Sequence, residues 1–334
     1  MTHTIGVLGS GSWGSALAVH LARTGHDVRL WARDAGLAAT MAALRENPAY
    51  LPGLAFPSEL TPTASLADAV NGAEIVVMAV PSHGLRAVSR AAAPLMPAGV
   101  TLVSAAKGLE ETTLLRMSEV LRAELPGVGP IVVLSGPSFA IELARELPTA
   151  VVAAGDASAA VEMVQARFRS SALRLYGSAD VVGVEIGGAL KNTIAIAAGV
   201  VEGLGLGHNA LAALITRGLA ELSRLAVGMG AQPETLSGLA GLGDLVLTCT
   251  SDLSRNRQVG IALARGQSLQ EILSRTRMVA EGVTTTKAAL ALGARQGIEL
   301  PIAHEMSEVL AGRKPPQDAI RDLMGRRQKL EHGP

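Results

Sequence analysis

The sequence is short of four things, and each shortage excludes something. Its 334 residues hold a single cysteine, Cys249, so no internal disulfide can form and a reducing compartment, the cytoplasm, is expected. Lys+Arg and Asp+Glu both number 29, which leaves no formal net charge. Without a surplus of one sign there is no global field to attract nucleic acid or an anionic membrane. Any anionic ligand must then be held by a local cluster of positive charge. Aromatic residues are 2% of the chain against 49% hydrophobic. Such a core has to close on Ala, Leu, Val and Gly, with small side chains and close helix contacts. A long charge-free apolar run is also missing. The most apolar stretch, 181–206, is broken by Glu185, Lys191 and Glu202, whereas a membrane span needs ~20 uncharged residues. It reads as a buried helix that carries polar groups. Met1–Leu8 has no basic segment leading into a cleavable apolar core, so no secretory leader is expected.

What is present is an alternation of two periodicities. Short continuous apolar runs at Thr4–Leu8, Val28–Trp31, Ile75–Val80, Val100–Ser104 and Ile131–Ser135 read as strands buried on both faces. Amphipathic segments near Ser12–Arg23, Ala35–Glu46, Leu85–Ala93 and Thr113–Glu124 lie between them. Strand–helix alternation predicts an α/β fold with a doubly wound, Rossmann-type parallel sheet. Thr149–Ala153 and Leu173–Tyr176 flank a further helical segment and extend the sheet. From Ser178 onward the strand signal stops, and Val181–Val201, Ala210–Gly228, Leu269–Arg275, Thr284–Leu292 and Ile302–Leu310 all read as helices. The expected organisation is a dinucleotide-binding domain over residues 1–177 and an all-helical substrate-binding and catalytic domain over 178–334.

Gly9-Ser10-Gly11-Ser12-Trp13-Gly14 is a complete G-x-G-x-x-G that directly follows an apolar strand and opens an amphipathic helix. That context makes it informative. Gly9 permits the tight turn, Gly11 lets the backbone approach a pyrophosphate, and Gly14 lets the helix pack on the sheet. The free N–H groups of the helix start then hold phosphate. The rival reading is a tight turn without a ligand. At the tip of the second strand stands Arg33, then Asp34. Asp34 suits the N-cap of the next helix, while a guanidinium there pairs with a 2′-phosphate. The expected cofactor is NADPH or NADH, with NADP preferred; a solvated surface arginine is the alternative.

Lysines supply the candidate reactive groups. Lys107 lies in a loop at a strand C-terminus, where α/β sheets bind ligands; a plain surface lysine is the alternative. Lys191 stands inside an almost wholly apolar helix, which is costly unless it is paired or working. Burial moves such an amine towards neutral pH and suits it to general acid/base work in alcohol–ketone interconversion. The alternative is a structural ion pair, for instance with Glu185. Asp244, within Gly241–Leu245, offers a carboxylate to orient a lysine. Ser254-Arg255-Asn256-Arg257 offers a hydroxyl, a guanidinium and an amide for an anionic head group. Helix capping is the alternative for both. The seven histidines show no ligand spacing, so no metal is expected. Cys249 sits in an apolar run and reads as buried rather than nucleophilic.

These segments together resemble the bacterial type of NAD(P)-dependent glycerol-3-phosphate dehydrogenase, over essentially the whole chain. The resemblance rests on residues 9–14, Ala-Val-Pro-Ser-His at 79–83, Ala-Lys-Gly-Leu-Glu at 106–110 and Ser-Gly-Pro-Ser-Phe-Ala at 135–140. It continues through Val-Glu-Ile-Gly-Gly-Ala-Leu-Lys-Asn at 184–192, Gly-Leu-Gly-Asp-Leu at 241–245, Ser-Arg-Asn-Arg at 254–257, Val-Ala-Glu-Gly at 279–282 and Leu-Met-Gly-Arg at 323–326. It implies that Lys191 is the proton acceptor. It implies substrate contacts from Lys107, Gly136, Ser138, Asp244, Ser254, Arg255 and Asn256, with Asn192 and Thr248 beside them. It implies cofactor contacts from Ser12, Trp13, Arg33, Lys107, Ala140, Arg255, Val279 and Glu281. It further implies a homodimer, a small phosphorylated substrate, and a role in supplying glycerol 3-phosphate for phospholipid synthesis, with the active site in the cleft between the domains. Two rivals remain at this point: a related dehydrogenase of hydroxy-carboxylates, and a dinucleotide-sensing protein without turnover.

Overall fold

The computed structural model describes residues 2–274, 281–328 and 330–331. The chain forms two compact units, Met1–Ala189 with Met229–Asp244, and Leu190–Gly228 with Leu245–Pro334. The strands end at Ser178, beside the boundary expected at 177, but the chain passes from one unit to the other later, within helix Val181–Gly203.

The first unit is built on strands β1 (Thr4–Leu8), β2 (Asp27–Trp31), β3 (Glu46–Asn47), β4 (Leu51–Ala55), β5 (Leu60–Thr63), β6 (Ile75–Met78), β7 (Thr101–Ser104), β8 (Ile131–Ser135), β9 (Thr149–Ala154) and β10 (Leu173–Ser178). Eight of them form one sheet in the order β10-β9-β8-β7-β6-β1-β2-β5, while β3 and β4 make a separate hairpin. β6, β7 and β8 are buried at every residue, as expected for central strands covered on both faces. Helices Ser12–Arg23 and Ala35–Leu44 follow β1 and β2. The doubly wound sheet expected from the alternation is thus present, with two corrections.

The first concerns direction. β9 runs antiparallel to β8, whereas the other neighbours are parallel. Between β8 and β9 the chain has only the five-residue helix Ala140–Ala144. Such a helix rises ~7 Å, against ~16 Å for a five-residue strand. The chain therefore enters β9 from the end at which it left β8. The second concerns elements too short or too mixed to show a period. The β3–β4 hairpin and the edge strand β5, which contains Pro62, fall in a stretch that reads as helix and loop. Proline is tolerated at a sheet edge, where its missing N–H leaves no ladder bond unmade. The helix expected over Thr113–Glu124 begins at Met117, where the Glu119 carboxylate accepts the Arg116 N–H at 2.8 Å.

In the second unit all described elements are helical. They are the C-terminal part of Val181–Gly203, then Gly207–Gly228, Leu245–Thr250 (continuing the helix that opens at Asp244), Arg255–Ala264, Leu269–Ser274, Glu281–Gln296, Pro301–Leu310 and Pro316–Met324. The small-residue core expected from composition takes a definite form here. A Cβ on Gly199 would stand 1.9 Å from the Arg257 carbonyl oxygen, and one on Gly260 would stand 1.9 Å from the Ile196 carbonyl oxygen. A Cβ on Gly203 would stand 2.6 Å from the Ala264 Cβ and 3.0 Å from the Ile261 carbonyl oxygen. Backbone packs on backbone along these two helices. Aromatic bulk is confined to the first unit: every Phe, Tyr and Trp of the chain lies at or before Tyr176, and Phe168 is fully buried.

Two buried histidines tie the first helix to the far side of its unit. His20 Nε2 lies 2.7 Å from the Phe168 carbonyl oxygen and His26 Nε2 3.0 Å from that of Arg167. Burial holds both imidazoles below their ordinary value of 6.5, overriding the carbonyl bonds that favour the charged form. In the unfolded chain each takes up its proton near 6.5, so on acidification the unfolded state binds protons first. Stability that is complete above pH 6.5 should therefore fall as pH drops towards the depressed values. The melting temperature followed through that window should decline, and His20→Gln should flatten the decline.

Candidate active site

The glycine-rich turn leaves β1 at its C-terminal end, where the strand order reverses. The chain winds to β2 and β5 on one side and then crosses to β6 on the other. Open α/β sheets bind ligands at such a switch point. Gly9 adopts φ 120°, and its N–H donates to the Trp31 carbonyl at 3.2 Å. A Cβ there would strike the Ala79 backbone at 2.6 Å, and one on Gly14 would stand 1.9 Å from the Gly9 carbonyl oxygen. These two glycines are required by packing. Gly11 is different: its Cβ would meet no protein atom within 4 Å. The fold gives no reason for a bare backbone at Gly11, whereas a phosphate drawn close to the helix start does. Gly11 is the N-cap of helix Ser12–Arg23 and supplies no side-chain cap, so the first-turn N–H groups face that open space unsatisfied. The turn thus fits the pyrophosphate of a dinucleotide.

Trp13 and Ala140, both expected at the cofactor, pack in one apolar cluster with Leu51, Ile141 and Ala144. Asp34 is the N-cap foreseen for it, its Oδ1 accepting from Gly36 N at 2.8 Å and Leu37 N at 3.2 Å. Arg33 beside it is exposed.

A second group of expected residues meets within the same unit. Lys107 Nζ donates to the Asp244 carboxylate at 2.7 Å and to the Gly136 carbonyl at 3.0 Å. Ser138 Oγ donates to that same carbonyl at 2.8 Å. Asp244 is buried, and Lys107 is far from the freely solvated lysine of the alternative reading. Asp244 was expected to hold a lysine ammonium, and it grips that of Lys107. The lysine loop is set by Gly108, at φ 129°, against Ser82. It is braced by Arg86, whose guanidinium forks onto Glu110 with two bonds of 2.7 Å. Ser135 Oγ is buried where a Cβ on Gly188 would come within 2.3 Å, so glycine at 188 lets the helix backbone settle on the strand end. Glu185 is committed elsewhere than the alternative reading of Lys191 supposed. It accepts from Arg116 Nη1 at 2.7 Å, Ser118 N at 2.8 Å and Ser118 Oγ at 2.6 Å. Burial pushes its carboxyl above the usual range, and the Ser118 and Arg116 bonds pull against that.

The second unit carries the remainder. Lys191 is 6% exposed, with Asn192 and Thr193 buried beside it. Ser254 caps helix Arg255–Ala264, its Oγ accepting from Arg257 N. The capping reading of Ser254 therefore holds, and it fixes the turn on which Arg255 and Asn256 stand. Arg255 is exposed; Arg257 is buried and pairs with Glu202 and Asp252. Asn256 Oδ1 accepts from Gly282 N at 3.0 Å, and a Cβ on Gly282 would come within 2.8 Å of the Asn192 carbonyl oxygen. Three expected segments, at Asn192, Asn256 and Glu281–Gly282, thus converge. Thr248 is buried, and Val279 lies outside the described residues.

Residues 4–161 match the N-terminal family model of NAD-dependent glycerol-3-phosphate dehydrogenase, and 180–321 match its C-terminal model. The chain belongs to that family. A glycerol-3-phosphate dehydrogenase [NAD(P)+] of Geobacter sulfurreducens is 52% identical over 99% of both chains. One from Geobacter metallireducens is 52% identical over 100% of both. A crystal structure of glycerol-3-phosphate dehydrogenase from Coxiella burnetii, 41% identical, superposes with a TM-score of 0.93 over 97% of this chain and 99% of that one.

The resemblance read from the motifs is therefore confirmed. This member of the family is an NAD(P)-dependent oxidoreductase, with NADH or NADPH as cofactor. Its helix Val181–Gly203 is long and apolar enough to cross a membrane, yet 94% of its most apolar window is buried inside the protein. Among the described residues no cluster of His, Cys, Asp or Glu could hold a metal ion. Two groups that support the family's motifs escaped the sequence reading. Arg86 carried no local signal. Asn47, fully buried against the glycine-rich turn, was marked only by the turn-forming dipeptide Asn47-Pro48.

Proposed function

We propose that the chain interconverts dihydroxyacetone phosphate and sn-glycerol 3-phosphate with NADPH in preference to NADH, and so supplies glycerol 3-phosphate for phospholipid synthesis. The observation that carries the dinucleotide dependence of this reading is the bare, unobstructed backbone at Gly11 ahead of an uncapped helix start. When bound, the reduced nicotinamide supplies hydride to C2 of the ketone. The protein's part is charge and position. Lys191 donates the proton to the developing alkoxide, or removes it in the reverse direction. Asp244 and the Gly136 carbonyl aim the Lys107 ammonium, with Ser138 beside it, at the polar end of the substrate. Arg255 and Asn256 take the phosphate. With Asn256 Oδ1 engaged by Gly282 N–H, its Nδ2 amide donates outward to a phosphate oxygen, and Ser254 holds the turn in register. Glu281 and Val279 belong to the cofactor's surroundings. The working form is a homodimer in the cytoplasm.

The test is the rate of NADPH oxidation with dihydroxyacetone phosphate compared with a 2-keto acid. Turnover of the keto acid alone would favour the hydroxy-carboxylate rival, and dinucleotide binding without turnover would favour a sensor. The cofactor preference rests on the exposed guanidinium of Arg33 beside an Asp34 whose Oδ1 caps the next helix. Arg33→Ala should weaken NADPH ten- to a hundredfold, since a hydrogen bond to a charged group contributes ~1.5–3 kcal/mol, and should leave NADH nearly unchanged. Equal weakening of both cofactors in a titration would sink the preference.

A further inference from the structure

Between Arg45 and Leu60 the chain makes an excursion that belongs neither to the main sheet nor to a flanking helix. Its base is cinched by one residue. Arg45, in the left-handed region at φ 54°, ends helix Ala35–Leu44. Its carbonyl accepts the Phe56 N–H at 2.6 Å, and its guanidinium donates to the carbonyls of Leu60, at 2.9 Å, and Pro57. The excursion contains the β3–β4 hairpin, and it grips the glycine-rich turn in two ways. Leu51 packs beside Trp13 and Ala16. Asn47, 0% exposed, sends its Nδ2 to the Ser10 carbonyl at 2.8 Å and to Ser15 Oγ at 2.8 Å, while Ser15 Oγ itself donates to the Ser10 carbonyl at 3.2 Å. Asn47 Oδ1 is held in turn by the N–H groups of Ala49 and Tyr50.

We propose that Asn47 is a positioning residue for the dinucleotide. By engaging the Ser10 carbonyl from inside the protein, it keeps that partial negative charge turned away from the phosphates. The peptides of Gly11 and Ser12 then present their N–H groups at the open space. A free Ser10–Gly11 peptide has two orientations, and the one with its oxygen outward repels a pyrophosphate. Two buried donor bonds select the other before the ligand arrives, which lowers the ordering cost of binding. The asparagine is fixed at its acceptor end by its own hairpin, so the selection is rigid. This inference rests on the dinucleotide reading of the turn.

Asn47→Asp is the discriminating variant. It keeps the acceptor for Ala49 and Tyr50 and removes the donor to Ser10. Calorimetric titration should show the Kd for NADPH rising about tenfold or more, the scale of a lost buried hydrogen bond. The rise should be of the same factor for NADH, because both carry the pyrophosphate. The KM for the substrate and kcat at saturating cofactor should stay near wild type. Ser15→Ala, which removes one of the two acceptors, should shift the dinucleotide Kd in the same direction by less. A folded Asn47→Asp chain with wild-type affinity for both dinucleotides, or one in which substrate KM rises as much as cofactor Kd, overturns the proposal. If Asn47→Asp fails to fold, Ser15→Ala decides it on the same readings. Failure of the wild-type chain to bind either dinucleotide would instead remove the reading beneath it.

Discussion

Lys191→Met is expected to fold, to bind NADPH nearly as well as the wild type, and to lose ~10²–10⁴ in turnover, the usual worth of positioned proton transfer. Methionine roughly preserves the length and apolar stem of the side chain and removes the titrating amine. Lys191 is 6% exposed on a helix made mainly of small and aliphatic residues. An ammonium costs free energy in such a place unless it is paired or has a task. Hydride transfer to a ketone creates an alkoxide, and without a donor at hand that charge is stranded in a medium of low dielectric. The competing account is a purely structural ion pair; Glu185, the partner first suggested for it, is engaged by Arg116 and Ser118. That account predicts the opposite pattern: a large fall in melting temperature with activity kept per folded molecule. Melting temperature, NADPH affinity and turnover on one preparation separate the two. Near-wild-type turnover in a folded Lys191→Met enzyme would end the assignment.

Gly199→Leu should be the most damaging single change to stability, on the order of 3 kcal/mol or more, at the upper end of what overpacking costs. A Cβ at this position would stand 1.9 Å from the Arg257 carbonyl oxygen and 2.9 Å from the Gly260 Cα. Both obstacles are backbone, so no rotamer change relieves them, and helix Arg255–Ala264 must move bodily. That helix begins at the cap that holds Arg255 and Asn256. Survivors that fold should therefore also show a raised KM for dihydroxyacetone phosphate. Gly260→Leu should have a similar cost, and the double variant should cost less than the sum, because both act on one contact. A urea midpoint for Gly199→Leu equal to the wild type's would show that the helices are not in backbone contact.

What could be read from the sequence was whatever is local. Thr4–Leu8, the glycines after it and helix Ser12–Arg23 coincide with the observed elements. A continuous apolar strand, a turn that only glycine permits and a 3.6-residue stripe are all written within twenty residues of each other. The Asp34 cap is equally local. What was not legible depends on partners far along the chain. Asn47 works through Ser10 and Ser15, and Lys107 through Asp244, 137 residues away. A carboxylate in a polar island tells a reader that it will hold a cation, but not which lysine. The direction of β9 follows from the length of the helix before it rather than from any residue in the strand. Helix Arg255–Ala264 was hidden because its contact face is Gly260 and Ala264, and a stripe of small residues leaves no hydrophobic period to find.

The confinement of every aromatic side chain to the first unit decides what light can report. The two indoles are Trp13, in the glycine-rich turn, and Trp31, at the end of β2 with its N–H on the Ala64 carbonyl. Intrinsic fluorescence and near-ultraviolet absorption therefore come wholly from the unit that holds the eight-stranded sheet, and the emission from two positions close to its glycine-rich turn. The helical unit that carries Lys191 and Arg255 is optically silent in both. A melt followed by tryptophan emission records the loss of the first unit alone, while far-ultraviolet dichroism is weighted towards the helices of the second. A gap between the two curves would be a direct reading of the two units unfolding separately, obtained without adding a label.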